Sequence, residues 1–141
     1  MFVRWPRALA LGLAAAVCLA CDGRTLACTV ARGDRVQLSS QALDPDVFVW
    51  DSAQRLINYI EGDYNVETVL QHTVLVGPGT RAVAVSCRDA AARPKYSKTD
   101  LDIIGVKLTS GRNKGHYGWV AAEDVRRADG KPIIVTTPVF P

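Results

Sequence analysis

The chain has 141 residues, with 17 lysines and arginines against 14 aspartates and glutamates and a formal net charge of +3. This length suits one domain with a modest core, and the small net charge excludes the strongly basic composition of a general nucleic-acid binder. The charge is uneven, because positions 28–72 hold three basic and seven acidic residues while positions 73–141 hold eleven and six. The second half is therefore the part expected to meet an anionic surface such as lipid headgroups or envelope polymers.

Residues 1–20 have the pattern of an export signal. Arg4 and Arg7 precede an uncharged run at positions 8–20, which is shorter than the about 20 apolar residues of a membrane-spanning helix. A basic start, a short apolar run and a small residue at its end are typical of a signal peptide. We therefore predict an exported protein of the bacterial periplasm or cell surface, in which residues 21–34 form a tether.

The end of this signal resembles the acylation site of bacterial lipoproteins, in which a cysteine after a small residue receives the lipid. The matching residues are Leu19, Ala20 and Cys21, and the resemblance implies a membrane anchor on Cys21. Ordinary signal-peptidase cleavage after Ala20 or Ala27 is the alternative.

The number of cysteines bears on the same choice. Cys18 leaves with the signal, and acylation of Cys21 would leave Cys28 and Cys87 as an even pair. Disulfides persist in exported proteins, in which a leftover thiol is unusual. We therefore predict a Cys28–Cys87 disulfide, with two separate buried thiols as the alternative.

The first half of the mature chain predicts two short strands and a helical insertion. The strands are expected at positions 35–39 and 47–50, where residues of high β propensity follow turn-forming ones. Asp51 is a suitable N-cap for a helix over positions 52–60, and Gly62 lies where a helix usually stops. Asn65 is the expected cap of a second helical turn, so that the insertion covers about 52–72.

The second half predicts strands separated by glycine turns. We expect strands at 73–76, 81–87, 103–110 and 116–121, then one helical turn at 122–125. Strict alternation in the second of these would place Val83, Val85 and Cys87 on one face of the sheet. Positions 88–102 are predicted as a long polar connection, and 127–141 as a tail or an extra strand.

Four segments together resemble the bacterial-type Src-homology-3-like barrel: "DVFVWDS", "PGTRAVAVSC", "GVKLTSGRNKG" and "YGWVAAEDV". The resemblance covers about Asp46–Val125 and implies a mainly β fold, a small barrel over positions 35–126 with a helical insertion after its first strand. Two features depart from the family: the apparent helix in that loop, and Ile103 and Ile104 where the family often has an aromatic residue. Short strands with glycine turns are also expected to curl, because a flat sheet of this size cannot cover its apolar face.

The stretch from Gly105 to Val125 also resembles the KOW hairpin of ribosomal and transcription proteins. Lys107, Arg112 and Lys114 would then contact RNA phosphates. The export signal argues against a nucleic-acid partner. In the barrel interpretation, Gly111, Gly115 and Gly118 supply positive φ angles or tight bends, and the stretch closes the barrel.

Catalysis has one candidate pair, a Cys87 nucleophile with His116 as its base. A disulfide at Cys87 would abolish it. No cluster of histidine, cysteine and aspartate has the local spacing of metal ligands, and no motif indicates a cofactor. We therefore predict a non-catalytic protein without metal or cofactor, and an envelope enzyme is the alternative.

The remaining interpretation is a binding or scaffolding module for a cell-wall polymer or an envelope protein, whose oligomeric state the sequence leaves open. Its expected contacts are aromatic and basic residues of the hairpin and of the first barrel strand. The candidates are Trp50, Arg112, Lys114, His116, Tyr117 and Trp119. Strand alternation places Tyr117 and Trp119 on the same face.

Overall fold

The computed structural model describes residue 28 and residues 30–133. The strands are β1 (Arg35–Leu38), β2 (Val47–Trp50), β3 (Thr73–Val76), β4 (Thr80–Ala92), β5 (Leu101–Leu108), β6 (Tyr117–Ala121) and β7 (Val125–Arg127). The helices are α1 (Ala53–Glu61) and α2 (Val66–His72), with a 3₁₀ turn at Ala122–Asp124. The predicted signal peptide, most of the tether including Cys21, and the end of the tail lie outside the described residues. No helix in the described part is long and apolar enough to span a bilayer.

All seven strands form one antiparallel sheet in the order β3-β2-β6-β5-β4-β1-β7. The sheet curls into a half-barrel, and the prediction of a mainly β, small barrel-like fold with a helical insertion is confirmed. Its inner face holds the larger core, which includes Leu38, Val49, Ile104, Val106, Leu108, Val120 and Val125. Curling lets these side chains face one another, which a flat sheet of this size could not achieve.

A second, smaller core lies on the outer face of the sheet, beneath α1. It joins Trp50 and Ile103 of the sheet to Ala53 and Leu56 of the helix, with Trp119 packed against its border. Trp50 and Trp119 are cross-strand partners, so their side chains lie on the same side of the sheet. The insertion after β2 therefore covers apolar surface that would otherwise face water.

The helix ends follow the sequence signals at two of three positions. Gly62 ends α1 in the left-handed conformation with φ of 85°, and the Asn65 side chain accepts a hydrogen bond from the Thr68 backbone N–H. The predicted N-cap at Asp51 is wrong, since Ser52 occupies that position without a side-chain hydrogen bond. Asp51 contacts Arg55 and His72 instead, at 3.0 and 2.8 Å.

The face assignment within β4 is wrong at its C-terminal half because of a β-bulge. Ala84 pairs with Val106 and Ser86 pairs with Gly105, so Val85 is one residue too many and the alternation reverses after it. Cys87 consequently packs against the inner core, on the side occupied by Ala84. The strand also runs on to Ala92, and the predicted connection at 88–102 is reduced to positions 93–100.

Gly118 of β6 lies close against β2. Its φ is not positive, whereas Gly111 and Gly115 have φ of 80° and 90° as predicted. A Cβ at Gly118 would lie 2.4 Å from Val49 Cγ1 and 2.8 Å from the Trp50 carbonyl oxygen. The backbone oxygen cannot move aside without breaking the sheet, so only glycine allows this approach.

Gly118→Ala is expected to lower the free energy of unfolding by about 2–3 kcal/mol, because the added methyl overpacks a close strand contact. Urea denaturation followed by tryptophan fluorescence measures this. Gly77→Ala is the matched control, since its nearest neighbour is Asp46 Oδ1 at 3.9 Å and a loss within about 0.5 kcal/mol is expected. Equal losses in the two variants would contradict the steric explanation.

Candidate functional site

The predicted aromatic contacts fall in different environments. Trp50 is 1% exposed and belongs to the core beneath α1, so its indole does not face a ligand at the surface. Trp119 is half-buried at the border of that core. Tyr117 is 59% exposed. Tyr117 and Trp119 lie on the same face of the sheet, as strand alternation predicted, and this is the outer face, so the two remain available as aromatic surface.

One cross-strand row links Tyr117 to basic residues of other strands. Arg35 of β1 pairs with Val83 of β4, Val83 pairs with Lys107 of β5, and Lys107 pairs with Tyr117 of β6. Paired residues lie on the same face of a sheet, and the buried neighbour Val36 shows that this is the outer face. Adjacent strands are about 4.8 Å apart, so Arg35 and Lys107 lie about 10 Å from each other along the row.

Two further arginines lie beside this row. Arg81 of β4 pairs with Gln37, which lies two residues after Arg35 on β1 and on the same face. Arg88 pairs with Ile103 on the outer face, and its guanidinium lies 5.0 Å from the centre of the Trp119 ring. Lys107 Nζ lies 5.4 Å from the centre of the Tyr117 ring. Trp119 and Tyr117 are thus each within cation–π distance of one basic side chain.

We call this surface the basic face, and it consists of Arg35, Arg81, Arg88, Lys107, Tyr117 and Trp119. All four cations are exposed. None of the ion pairs found within residues 28 and 30–133 involves any of them. A concavity of about 540 Å³ opens beside Arg35 and Arg81, with Val83 and Thr109 in its wall. The arrangement concentrates positive potential over an open sheet surface.

The sequence-based site missed Arg35, Arg81 and Arg88. Alternation in β1 and β4 indicates which side chains face outward, but it does not say which strands are neighbours. The pairing of β1 with β4 joins residues 48 positions apart, Arg35 with Val83. Without that pairing nothing in the sequence connects Arg35 to Lys107.

The predicted hairpin tip lies beyond the basic face. Leu108 donates its N–H to the His116 carbonyl oxygen at 2.9 Å, and Gly115 donates to the Leu108 carbonyl at 2.8 Å, which closes the turn. Arg112 lines a separate cavity of about 420 Å³ with Leu75 and Thr80. Arg112 and Lys114 are exposed and His116 is half-buried. The tip thus places two basic side chains next to the sheet surface, and its residues do not form an enclosed binding site.

The geometry does not support a Cys87–His116 pair. Cys87 is bonded to Cys28 in a disulfide, as predicted. Along the ladder Cys87 pairs with Ile104, which pairs with Val120. His116 precedes Val120 by four residues, about 13 Å along the strand. The thiol is therefore occupied, and the imidazole lies beyond hydrogen-bonding reach of it.

A groove of about 380 Å³ lies between α1 and the 3₁₀ turn. Its aromatic wall consists of Phe48, Trp50 and Tyr59. Its polar rim consists of Asp44, Asp46, Glu123 and Asp124. Four carboxylates, two from each half of the chain, thus lie at this groove, whereas the basic face lies on β1, β4, β5 and β6.

Asp124 is the most perturbed carboxyl group of this groove. Burial and, to a smaller extent, the charge of the neighbouring Glu123 together raise its pKa to about 6, while a hydrogen bond from Ser40 opposes the shift. The folded chain therefore binds a proton more tightly than the unfolded chain, in which the carboxyl titrates near its ordinary value of 3.8.

This shift predicts a pH dependence of stability. Since the folded pKa is the higher one, the stabilisation from Asp124 is complete below about pH 4 and is lost as the pH rises through about 6. At pH 7 we expect the free energy of unfolding of Asp124→Asn to exceed that of wild type by about 2–3 kcal/mol. Near pH 4 the two free energies of unfolding should be equal. Urea titrations of both proteins between pH 4 and pH 7.5 measure the difference. A constant difference across that range would contradict the assignment to Asp124.

The disulfide lies beside a buried carboxylate. Asp102 is 9% exposed, and its carboxylate lies within 4.8 Å of both sulfur atoms. Its Oδ1 accepts a hydrogen bond from the Ala90 N–H at 2.9 Å. Loss of solvent and the charge of Asp102 raise the pKa of the adjacent Asp89 above its usual range. The sequence contains no local metal-ligand spacing, yet the fold brings these three metal-binding residue types together.

Comparisons with protein-family models, with curated proteins and with solved structures found no match.

Proposed function

We propose that this chain is an exported, non-catalytic binding module of the bacterial envelope, with an Src-homology-3-like barrel, that holds an anionic envelope polymer on the basic face. The supporting observation is that Arg35, Arg81, Arg88 and Lys107 share one exposed surface without a carboxylate partner among the described residues. Cations left unpaired on one face attract polyanions and repel one another, so an anionic partner lowers the energy of the surface.

The aromatic residues support the same function. Cation–π contacts hold the Arg88 and Lys107 head groups over Trp119 and Tyr117. Because these long side chains are already ordered, they lose less conformational entropy when a ligand binds. Tyr117 adds a flat, half-exposed surface for the backbone or sugar rings of a polymer. The expected contact is broad and shallow, consistent with an open sheet face.

A lipid anchor on Cys21 would keep this surface near the membrane. Cys28 is tied to β4 by the disulfide and lies seven positions after Cys21 in the sequence. A fully extended segment of that length spans at most about 25 Å. The module would therefore sample the layer of polymer next to the membrane.

The experiment compares two triple variants with equal changes in net charge. The first carries Arg35→Gln, Arg81→Gln and Lys107→Gln, and the control carries Lys95→Gln, Lys98→Gln and Lys131→Gln, which are exposed cations away from the basic face. Both are made in the chain from position 21 with Cys21→Ser, so that no acyl chain contributes. Retention on purified cell-wall sacculi is measured from 20 to 300 mM salt.

We expect the basic-face variant to bind about tenfold or more weakly than wild type, because three exposed charges at about 0.5 kcal/mol each amount to about 1.5 kcal/mol. Its salt dependence should also be shallower, since fewer charges remain to be screened. The control variant should bind like wild type. Equal loss in both variants would show an effect of net charge alone, and tighter binding to single-stranded RNA than to sacculi would favour the RNA-binding alternative.

A further inference from the structure

Three potential metal ligands from separate parts of the chain meet on the inner side of β4. The Sγ atoms of Cys28 and Cys87 and a carboxylate oxygen of Asp102 lie within 4.8 Å of one another. The two sulfurs are bonded to each other in this structure, so neither of them is available as a thiolate while the bond is intact. We propose that reduction of this disulfide by a dithiol converts Cys28, Cys87 and Asp102 into a site for one zinc-class divalent ion.

The site would form in two steps, reduction of the disulfide and then binding of the metal ion. The dithiol delivers two electrons and two protons, the Cys28–Cys87 bond breaks into two thiols, and the dithiol leaves as its own disulfide. Metal binding then displaces both thiol protons and forms two metal–sulfur bonds. Two thiolates and a carboxylate are ligands that zinc accepts, and a water molecule completes a tetrahedron in sites with three protein ligands.

The spacing of the backbone suits this exchange. Two sulfurs bound to one zinc at about 2.3 Å lie about 3.8 Å apart. The Cα atoms of Cys28 and Cys87 are 6.2 Å apart, so rotation of the two side chains separates the sulfurs without displacing the strand. Asp102 lies two residues from Ile104, the cross-strand partner of Cys87, which places the carboxylate diagonally beside the sulfur on the same face.

Cys28 stays near the site after reduction because the following residues are held by other contacts. Val30 is 8% exposed and belongs to the inner core. Gly33 donates its N–H to the Ala84 carbonyl at 2.7 Å, and Ala84 donates to the Asp34 carbonyl at 2.9 Å. These bonds fix the segment alongside β4, so the two thiols remain close at a high effective concentration.

Asp102 is already oriented by its neighbours. The Ala90 N–H reaches Oδ1 because β4 bulges between Arg88 and Ala92, and Ala90 adopts a left-handed φ of 44° there. Hydrogen bonds of this kind orient a metal-binding carboxylate. Their removal commonly weakens metal binding by about 10- to 100-fold.

The test uses the full chain with Cys18→Ser and Cys21→Ser, so that Cys28 and Cys87 are the remaining thiols. The protein is reduced under argon and titrated with Co²⁺, whose visible absorption reports tetrahedral thiolate ligation, and Co²⁺ is then displaced with Zn²⁺. The same titration is run on the oxidised protein and on Asp102→Asn, Cys87→Ser and Asp129→Asn. Circular dichroism and thermal unfolding establish that each variant is folded.

We expect one Co²⁺ per reduced chain, displaced by Zn²⁺, and no binding to the oxidised chain. Asp102→Asn should weaken Zn²⁺ binding by about tenfold or more, Cys87→Ser should abolish the thiolate absorption, and Asp129→Asn should match the parent. No stoichiometric binding, unchanged affinity in folded Asp102→Asn, or equal binding by the oxidised protein would overturn the proposal. If Asp102→Asn does not fold, the Cys87→Ser result decides, and retained thiolate absorption in that variant overturns it.

Discussion

Trp50→Ala is expected to lower the free energy of unfolding by about 3–5 kcal/mol, as large aromatic-to-alanine changes in cores do. Trp50 is 1% exposed and packs against Leu56, Ile103 and the Tyr59 ring, whose centre lies 5.1 Å away. Its removal would leave a cavity between the sheet and α1 and loosen the packing of α1 against this face. Urea denaturation followed by far-ultraviolet circular dichroism measures the loss independently of the tryptophan signal.

Tyr117→Ala is the matched control on the same face, since that ring is 59% exposed. We expect it to lose less than about 1 kcal/mol, because surface substitutions away from packed features change stability little. Comparing the two variants distinguishes an aromatic residue of the core from one of the surface, which the sequence alone does not distinguish. If Trp50→Ala unfolded at the same urea concentration as Tyr117→Ala, the core beneath α1 would not be the source of stability inferred here.

Replacing both Cys28 and Cys87 with serine is expected to lower the free energy of unfolding by about 4 kcal/mol. The bridge closes a loop with a sequence separation of 59 residues, and the entropy that a crosslink of this span removes from the unfolded chain corresponds to about that value. The bridge also ties the segment that precedes β1 to β4. Guanidinium denaturation of the oxidised wild type and of the double variant gives the difference.

Wild type under reducing conditions with a chelator is the control for the disulfide, because it keeps both cysteine side chains. It should lose nearly as much stability as the double-serine variant, the remainder reflecting the packing of Cys87 against the inner core. Adding Zn²⁺ to the reduced wild type should restore part of the loss, since a ligand that binds the folded state raises its stability. Identical stability of oxidised and reduced wild type would mean that the crosslink contributes nothing.

The two surfaces of opposite charge suggest how the module could respond to its surroundings. The binding that we propose on the basic face would weaken with salt, because exposed charges are screened. Asp124 titrates with a pKa of about 6 in the acidic groove, so the charge of that groove changes in mildly acidic conditions. Salt and pH therefore act on different surfaces of the same small domain, and the variants described above separate the two effects.

Several elements could be predicted from the sequence because their signals act over a few residues. Alternation located the strands, Gly62 ended α1, and Asn65 capped α2 through a hydrogen bond three residues away. The positive φ of Gly111 and Gly115 follows from the same local rule. The disulfide was predicted from cysteine parity, on the expectation that Cys18 is removed and Cys21 is acylated, and parity depends on composition and not on geometry.

Only the tertiary structure decided which of these residues meet. A single extra residue, Val85, reversed the alternation of β4 and placed Cys87 beside Asp102. The strand order placed Arg35 in one row with Lys107, and the docking of α1 placed Trp50 in a core. These outcomes depend on contacts between residues far apart in the chain. Local pattern carries no information about such contacts, because it describes the faces of an element and not its neighbours.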